Sequence, residues 1–123
     1  MPYTVRISDD RTYIVTTVKG LVDSRVAMEF TVATHRMARE KGLHLFLMDL
    51  SESRNIQSEY ENYDFVNQDL DENPEVDRRV KVALYVSPDD HSHDFTEQVA
   101  RSDGYNVGLF RKIEDAIRFL KEG

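Results

Sequence analysis

The sequence predicts an α/β domain, a mixed sheet covered by helices, and three observations carry that class. Two alternating strands surround a turn near the N-terminus, two later runs are apolar and strand-sized, and the segments between them repeat apolar residues at helical spacing. "YTVRI" alternates apolar and polar residues, as does "TYIVTTVKG", and "SDDR" between them supplies turn formers, so an antiparallel hairpin is expected. Tyr3, Val5 and Ile7 share one face. In the second strand Ile14, Thr16 and Val18 lie opposite Tyr13, Val15 and Thr17, which suits a strand internal to a sheet, and Gly20 is expected to end it.

Ser24 reads as a helix N-cap, and Val26, Phe30, Ala33 and Met37 form one helical stripe that Gly42 stops. "LHLFLMDL" is nearly continuous in apolar character, the pattern of a central parallel strand covered on both faces. "SESRNIQS" reads as a loop. From about Ser58, the positions Tyr63, Val66 and Leu70 mark a second helix ended by "ENP". "RVKVALYV" is another buried strand, followed by a helix carrying Phe95 and Val99, a break at Asp103-Gly104, and a short strand "NVGLF". Ile113, Ala116, Ile117 and Leu120 share one face of a closing helix. The order β-β-α-β-α-β-α-β-α requires crossovers, so the later strands should be parallel beside the antiparallel N-terminal hairpin. Ligands of such sheets sit outside the carboxyl ends of the strands, here "MDLSESRN" and "VSPDDHSHD".

Composition bounds the function. A chain of 123 residues suits one hydrophobic core, and we read residues 1–123 as a single domain. No run approaches the roughly 20 apolar residues that span a bilayer. Met1 leads straight into "PYTVRI" without the basic and apolar stretches of a signal peptide, so a cytoplasmic location without membrane insertion is expected. The absence of cysteine removes disulfides, thiol nucleophiles and thiolate zinc sites. A net charge of −7 disfavours nucleic acid, whose phosphates require clustered Lys and Arg. "HRMAREK" is the one local concentration of positive charge, and its place is the last turns of a helix, where cations complement the dipole.

The element order, with "VKGLVD" leading into the first helix and "LFLMDLS" ending the central strand, resembles the SpoIIAA-like or STAS-like family over nearly the whole chain. Gly20, Leu21, Val22 and Asp23 match its Gly-x-x-Asp turn. More narrowly, the chain looks like the uncharacterised bacterial proteins described as SpoIIAA-like or STAS/SEC14-domain proteins. The resemblance implies a regulatory module that binds a partner through the helix after the central strand and its adjoining loops. It also implies a phosphorylatable serine at the start of that helix, where Ser58 falls, with Ser51 and Ser53 nearby. The glycines of the family's Asp-Ser-Ser-Gly segment are missing, and Glu59 and Glu61 follow. Serine is equally favoured there as an N-cap.

The stretch "SPDDHSHDF", residues 87–95, concentrates Asp89, Asp90, His91, His93 and Asp94. In extended chain, Asp89, His91 and His93 would share a side and offer two imidazoles and a carboxylate to a metal. A third histidine has no source, since His44 begins a strand at the opposite end of the sheet and His35 is expected on the polar side of the first helix. His91 or His93 also titrates in the range of an acid–base residue, without an evident nucleophile. The same residues suit a helix entrance: Ser92 or Asp94 as cap, Asp94 and Glu97 at capping-box spacing, and Asp89 and Asp90 complementing the positive helix end.

Arg54 can hold a carboxylate or phosphate bidentately, or pair with Asp89 or Asp90. Tyr60 and Tyr63 would add an amphipathic wall. The candidate ligand or partner edge is thus Arg54, Asn55, Tyr60, Tyr63, Asp89, Asp90, His91 and His93. These residues predict a noncatalytic STAS-like module, without cofactor, that binds a protein partner or small ligand at the carboxyl edge. A SEC14-like carrier of a small apolar ligand is an alternative that requires an apolar cavity between helix and sheet. A metal-dependent or acid–base enzyme using Asp89 to His93 is another. A homodimer suits so small a domain with a hairpin edge.

Overall fold

The computed structural model describes residues 2–122. Its strands are β1 (Tyr3–Ile7), β2 (Ile14–Val22), β3 (Leu45–Asn55), β4 (Lys81–Tyr85) and β5 (Asn106–Phe110), and they form one sheet in the order β1-β2-β3-β4-β5. β1 pairs antiparallel with β2, and every later pairing is parallel. The helices are α1 (Ser24–Lys41), α2 (Glu59–Asp64), α3 (Asp94–Ser102) and α4 (Ile113–Lys121). A π-helical stretch, Phe65–Leu70, continues α2.

Two cores flank the sheet. The larger one joins Ile14, Val18, Phe46, Met48, Leu50 and Val86 to Phe30 of α1 and to Phe65 and Val66 of the π-helical stretch. The smaller one joins Val15, Leu47 and Ala83 to Ala116 and Leu120 of α4. Strand alternation explains the division, since neighbouring residues such as Phe46 and Leu47 point to opposite faces. The stripe expected on α4 lies on its sheet-facing side.

Several local expectations are corrected. β2 runs two residues past Gly20, whose φ of +91° is the left-handed region that only glycine enters cheaply. Asp23, rather than Ser24, caps α1 by accepting a hydrogen bond from Val26 N at 2.9 Å. The buried face of α1 is Ala27, Phe30, Thr34, His35 and Ala38, rotated from the expected stripe because polar side chains here find partners. Thr34 donates to Phe30 O at 2.7 Å and pairs with the Thr16 hydroxyl of β2. His35 is 4% exposed, packs edge-on against Phe46 and accepts from Asp77 N at 3.3 Å, so it is buried and not on the polar side.

"SESRN" is strand rather than loop, since β3 extends to Asn55 alongside the end of β2. The pairing steps from Thr17↔Asp49 to Lys19↔Glu52, so β3 carries one extra residue, a bulge. Before it the even positions Phe46, Met48 and Leu50 face α1; after it the odd positions Ser53 and Asn55 are the buried ones. Tyr63 leaves the expected stripe of the second helix: Asn62, Phe65 and Val66 face inward and Tyr63 is 54% exposed.

The Thr16–Thr34 pair yields a stability test. Thr34→Val leaves the buried Thr16 hydroxyl without that partner and should cost about 1–3 kcal/mol by denaturant unfolding. Adding Thr16→Val should recover most of that loss, and additive losses would show that the pair is not coupled.

Candidate functional site

The bulge in β3 delivers Ser53 and Asn55 to the N-terminal end of α3, and these two residues organise the carboxyl edge. The Asn55 side chain accepts from Gln57 N at 2.9 Å through Oδ1, and its Nδ2 donates to Asn62 Oδ1 at 2.9 Å and Thr96 Oγ1 at 3.2 Å. Its backbone N–H donates to Ser92 Oγ at 2.9 Å. One asparagine therefore ties β3 to α2, to α3 and to the loop before α3. Ser53 donates its proton to Leu50 O at 2.8 Å. His93 Nε2, 3.1 Å from the same oxygen, must then be the donor, because a hydroxyl has only one hydrogen. Nε2 therefore carries a hydrogen, and in the neutral ring Nδ1 is the acceptor.

Electrostatics agree with that assignment. Burial pushes His93 below its ordinary value, against the opposing pull of Asp90 and Asp94. Burial acts to raise Asp90, but hydrogen bonds from Ser92, with His93 and Arg54 nearby, hold it below the usual carboxylate range. Asp90 Oδ2 stands 3.7 Å from His93 Nε2, beyond hydrogen-bond reach, and has no partner among the described residues. Burial raises Glu97, with Asp94 adding to the effect and Arg101 opposing it.

The two histidines of the 87–95 stretch part company. His93 is 5% exposed, whereas His91 is exposed, with Nδ1 2.9 Å from Asp94 Oδ2. Among the described residues no group of three or more His, Asp or Glu side chains is arranged to hold a metal ion. Ser53, His93 and Asp90 do not make a nucleophilic triad either. Such a triad needs the acid on the ring nitrogen opposite the serine, and here Asp90 approaches the nitrogen that faces Ser53. The arrangement orients groups and offers none of them as an activated nucleophile.

The helix entrance also differs from expectation. The N-cap position of α3 is His93, without a side-chain cap bond. Ser92 instead serves Asn55 N, and Asp94 pairs with Arg111 Nη2 at 3.1 Å. Arg111 also donates to Asp90 O at 3.0 Å. No ion pair joins Arg54 to Asp89 or Asp90 among the described residues; Arg54 points outward from β3, and Asp89, Tyr60 and Tyr63 are likewise exposed. Ser58 caps α2 in a complete capping box, accepting from Glu61 N at 3.1 Å while Glu61 Oε1 accepts from Ser58 N at 2.9 Å.

Sequence reasoning missed Asn62, Thr96 and Arg111, along with Leu21 and Ile56. The last two carried a legible signal, being large aliphatic residues inside segments otherwise read as turn and loop. Leu21, Ile56, Tyr60 and Tyr63 are the large hydrophobic side chains that stay exposed among the described residues. Beneath α2, between the sheet and helices α1 to α3, the interior is not filled: a cavity of about 140 Å³ opens among Phe30, Phe46, Phe65 and Val66.

No family model and no curated protein sequence matches the chain. Solved structures do. An uncharacterized DUF3478-family protein with a SpoIIAA-like fold from Shewanella loihica PV-4 is similar at a TM-score of 0.55 and 16% identity, with 96% of this chain and 91% of that chain covered. An anti-sigma factor antagonist from Mycobacterium paratuberculosis is similar at a TM-score of 0.59 and 12% identity, with 98% and 95% covered. The molecule is therefore an α/β domain with the SpoIIAA-like fold, the architecture that the order of elements predicted. Among the described residues no helix is long and apolar enough to cross a membrane.

Two measurements follow from the site and its neighbouring core. His35 resists protonation in the folded state, where burial lowers its pKa from 6.5 to about 4, and burial lowers His93 too. The unfolded chain takes up these protons first, so the stabilisation is complete above pH 6.5 and lost as pH falls from 6.5 towards 4. Unfolding free energy measured across this window should fall with acidity more steeply for the wild type than for His35→Leu. Separately, Ser58→Ala should cost about 1 kcal/mol in denaturant unfolding through loss of the capping box.

Proposed function

We propose that this protein is a noncatalytic regulatory module that docks a protein partner on the outer face of its carboxyl edge. The observation that carries the reading is the placement of its exposed apolar side chains. Leu21 is 64% exposed, Ile56 54%, Tyr60 73% and Tyr63 54%. Leu21 lies at the end of β2, Ile56 follows β3 with its N–H on Val22 O at 3.0 Å, and both tyrosines project from α2. Tyr60 and Tyr63 share one exposed face of α2 at i, i+3 spacing, and exposed aromatic side chains so placed mark an interaction surface, for which tyrosine is favoured because it is large, rigid and amphipathic.

Charge narrows the partner. Glu52, Glu59 and Glu61 are exposed around the patch, so the complementary surface is apolar with a basic rim. The similar solved structure of an anti-sigma factor antagonist supports a protein as the kind of partner. Ser58 sits beside this patch, but its hydroxyl is committed to the capping box, and the docking reading does not depend on its modification.

A photo-crosslinking residue at position 60 should capture one heterologous protein in cells, and the same residue at position 118 on α4 should not. Ile56→Ser with Tyr63→Ser should abolish the capture while leaving the melting temperature near the wild-type value. Equal capture from both positions would end the proposal, and capture of a second copy alone would replace it with a homodimer.

A further inference from the structure

The space beneath α2 has a shape and a chemistry that the docking reading leaves unused. Its volume is about 140 Å³, and a dry core cavity of about that size holds one benzene ring. Aromatic and aliphatic side chains form most of its wall, including Phe30, Phe46, Phe65 and Val66. The π-helical stretch supplies two of them, and such stretches are often placed at functional sites.

One end of this space is polar, and its hydrogen bonding is incomplete in a specific way. The Asn55 amide orientation is set by Gln57 N, so Asn55 Nδ2 donates and Asn62 Oδ1 accepts. Asn62 Nδ2 is then a donor with no hydrogen-bond partner among the described residues. His93 Nε2–H is directed at Ser53, which leaves His93 Nδ1 an acceptor with none. Asn62 is 3% exposed and His93 5%, and both line the cavity. Both atoms, Asn62 Nδ2 and His93 Nδ1, keep surface that a water-sized molecule reaches, unlike Asp90 Oδ2 and Arg111 Nε, which are fully enclosed without a partner among the described residues, so each offers an uncommitted hydrogen-bonding group to a molecule in the cavity. At the far end the polar wall is already satisfied, with His35 Nδ1 taken by Asp77 N.

We propose that the cavity binds a neutral molecule of one ring and one hydroxyl, of the size of phenol. The ring lies among the phenylalanines, and the hydroxyl accepts from Asn62 Nδ2 and donates to His93 Nδ1. A hydroxyl supplies both roles from one atom. A carboxylate does not suit this end, because the neighbouring ionisable side chains are Glu97 and Asp90, and His93 is neutral there. This site is on the inner side of α2, so its occupancy is measured on the isolated chain and stands or falls apart from partner docking.

The test is titration of the isotopically labelled protein near pH 7.5 with phenol, benzene and benzoate, followed by amide NMR shifts. Phenol should give saturable shifts centred on Asn62, Phe65, His93 and Ala100, benzene should bind up to about tenfold more weakly for want of the hydrogen bonds, and benzoate should not bind. Ala27→Leu, or Ala100→Leu if the first variant does not fold, should fill the space and abolish the phenol response in a protein that still melts cooperatively. The absence of saturable shifts at millimolar phenol, equal binding of phenol and benzene, or phenol binding retained in a folded filled variant would each overturn the proposal.

Discussion

Burial of β3 on both faces is the constraint on which the rest of the structure depends. The strand pairs with β2 on one side and β4 on the other, and its residues alternate between two separate cores, Phe46 and Met48 into one and Leu47 into the other. Each large side chain so buried contributes roughly 1.5–3 kcal/mol, but only while helices cover both faces. α1, α3 and the helical segment after β3 close the larger face and α4 alone closes the smaller one. The crossover helices and the C-terminal helix are therefore demanded by one apolar octapeptide, "LHLFLMDL".

The carboxyl edge shows how polar groups enter such a core with most of their hydrogen bonds made. Asn55 uses its backbone N–H, both ends of its amide and its position in the strand to fasten β3 to two helices and the intervening loop. Ser53 and His93 share a hydrogen bond whose direction is dictated by Leu50 O. α2 has this network and the cavity on its inner side and the exposed tyrosines on its outer side. A single short helix thus separates the most polar part of the core from exposed aromatic side chains on the surface.

How much of this was legible before the fold was known follows from the range of the forces involved. Alternation in "YTVRI", the apolar runs of β3 and β4 and the stripe of α4 are local patterns with one dominant period, and each identified its element. The face of α1 was misassigned because Thr34 and His35 are polar by composition and become core residues only through Thr16 and Asp77, distant in sequence. The helix entrance was misassigned because Ser92 and Asp94, good caps locally, are drawn off by Asn55 and Arg111. Asp90 and His93 were singled out from their spacing alone, but their partners were not, since those come from β3. The cavity has no sequence signature at all, being the volume that packing leaves over.

The bulge in β3 has a bearing on folding errors. Strict alternation from Leu50 onward would turn Glu52 and Arg54 inward and Ser53 and Asn55 outward. The two arrangements of the same strand differ by one step, yet they are far apart in free energy, because bringing a carboxylate and a guanidinium out of water costs several kcal/mol per ion, whereas a serine and an asparagine fit with their bonds made. A strand without the bulge would have to bury these charges, which strongly disfavours that arrangement. Register in a sheet is set most firmly where a shift would bury charge, and the alternating charge of "SESRN" sets it at the centre of this one.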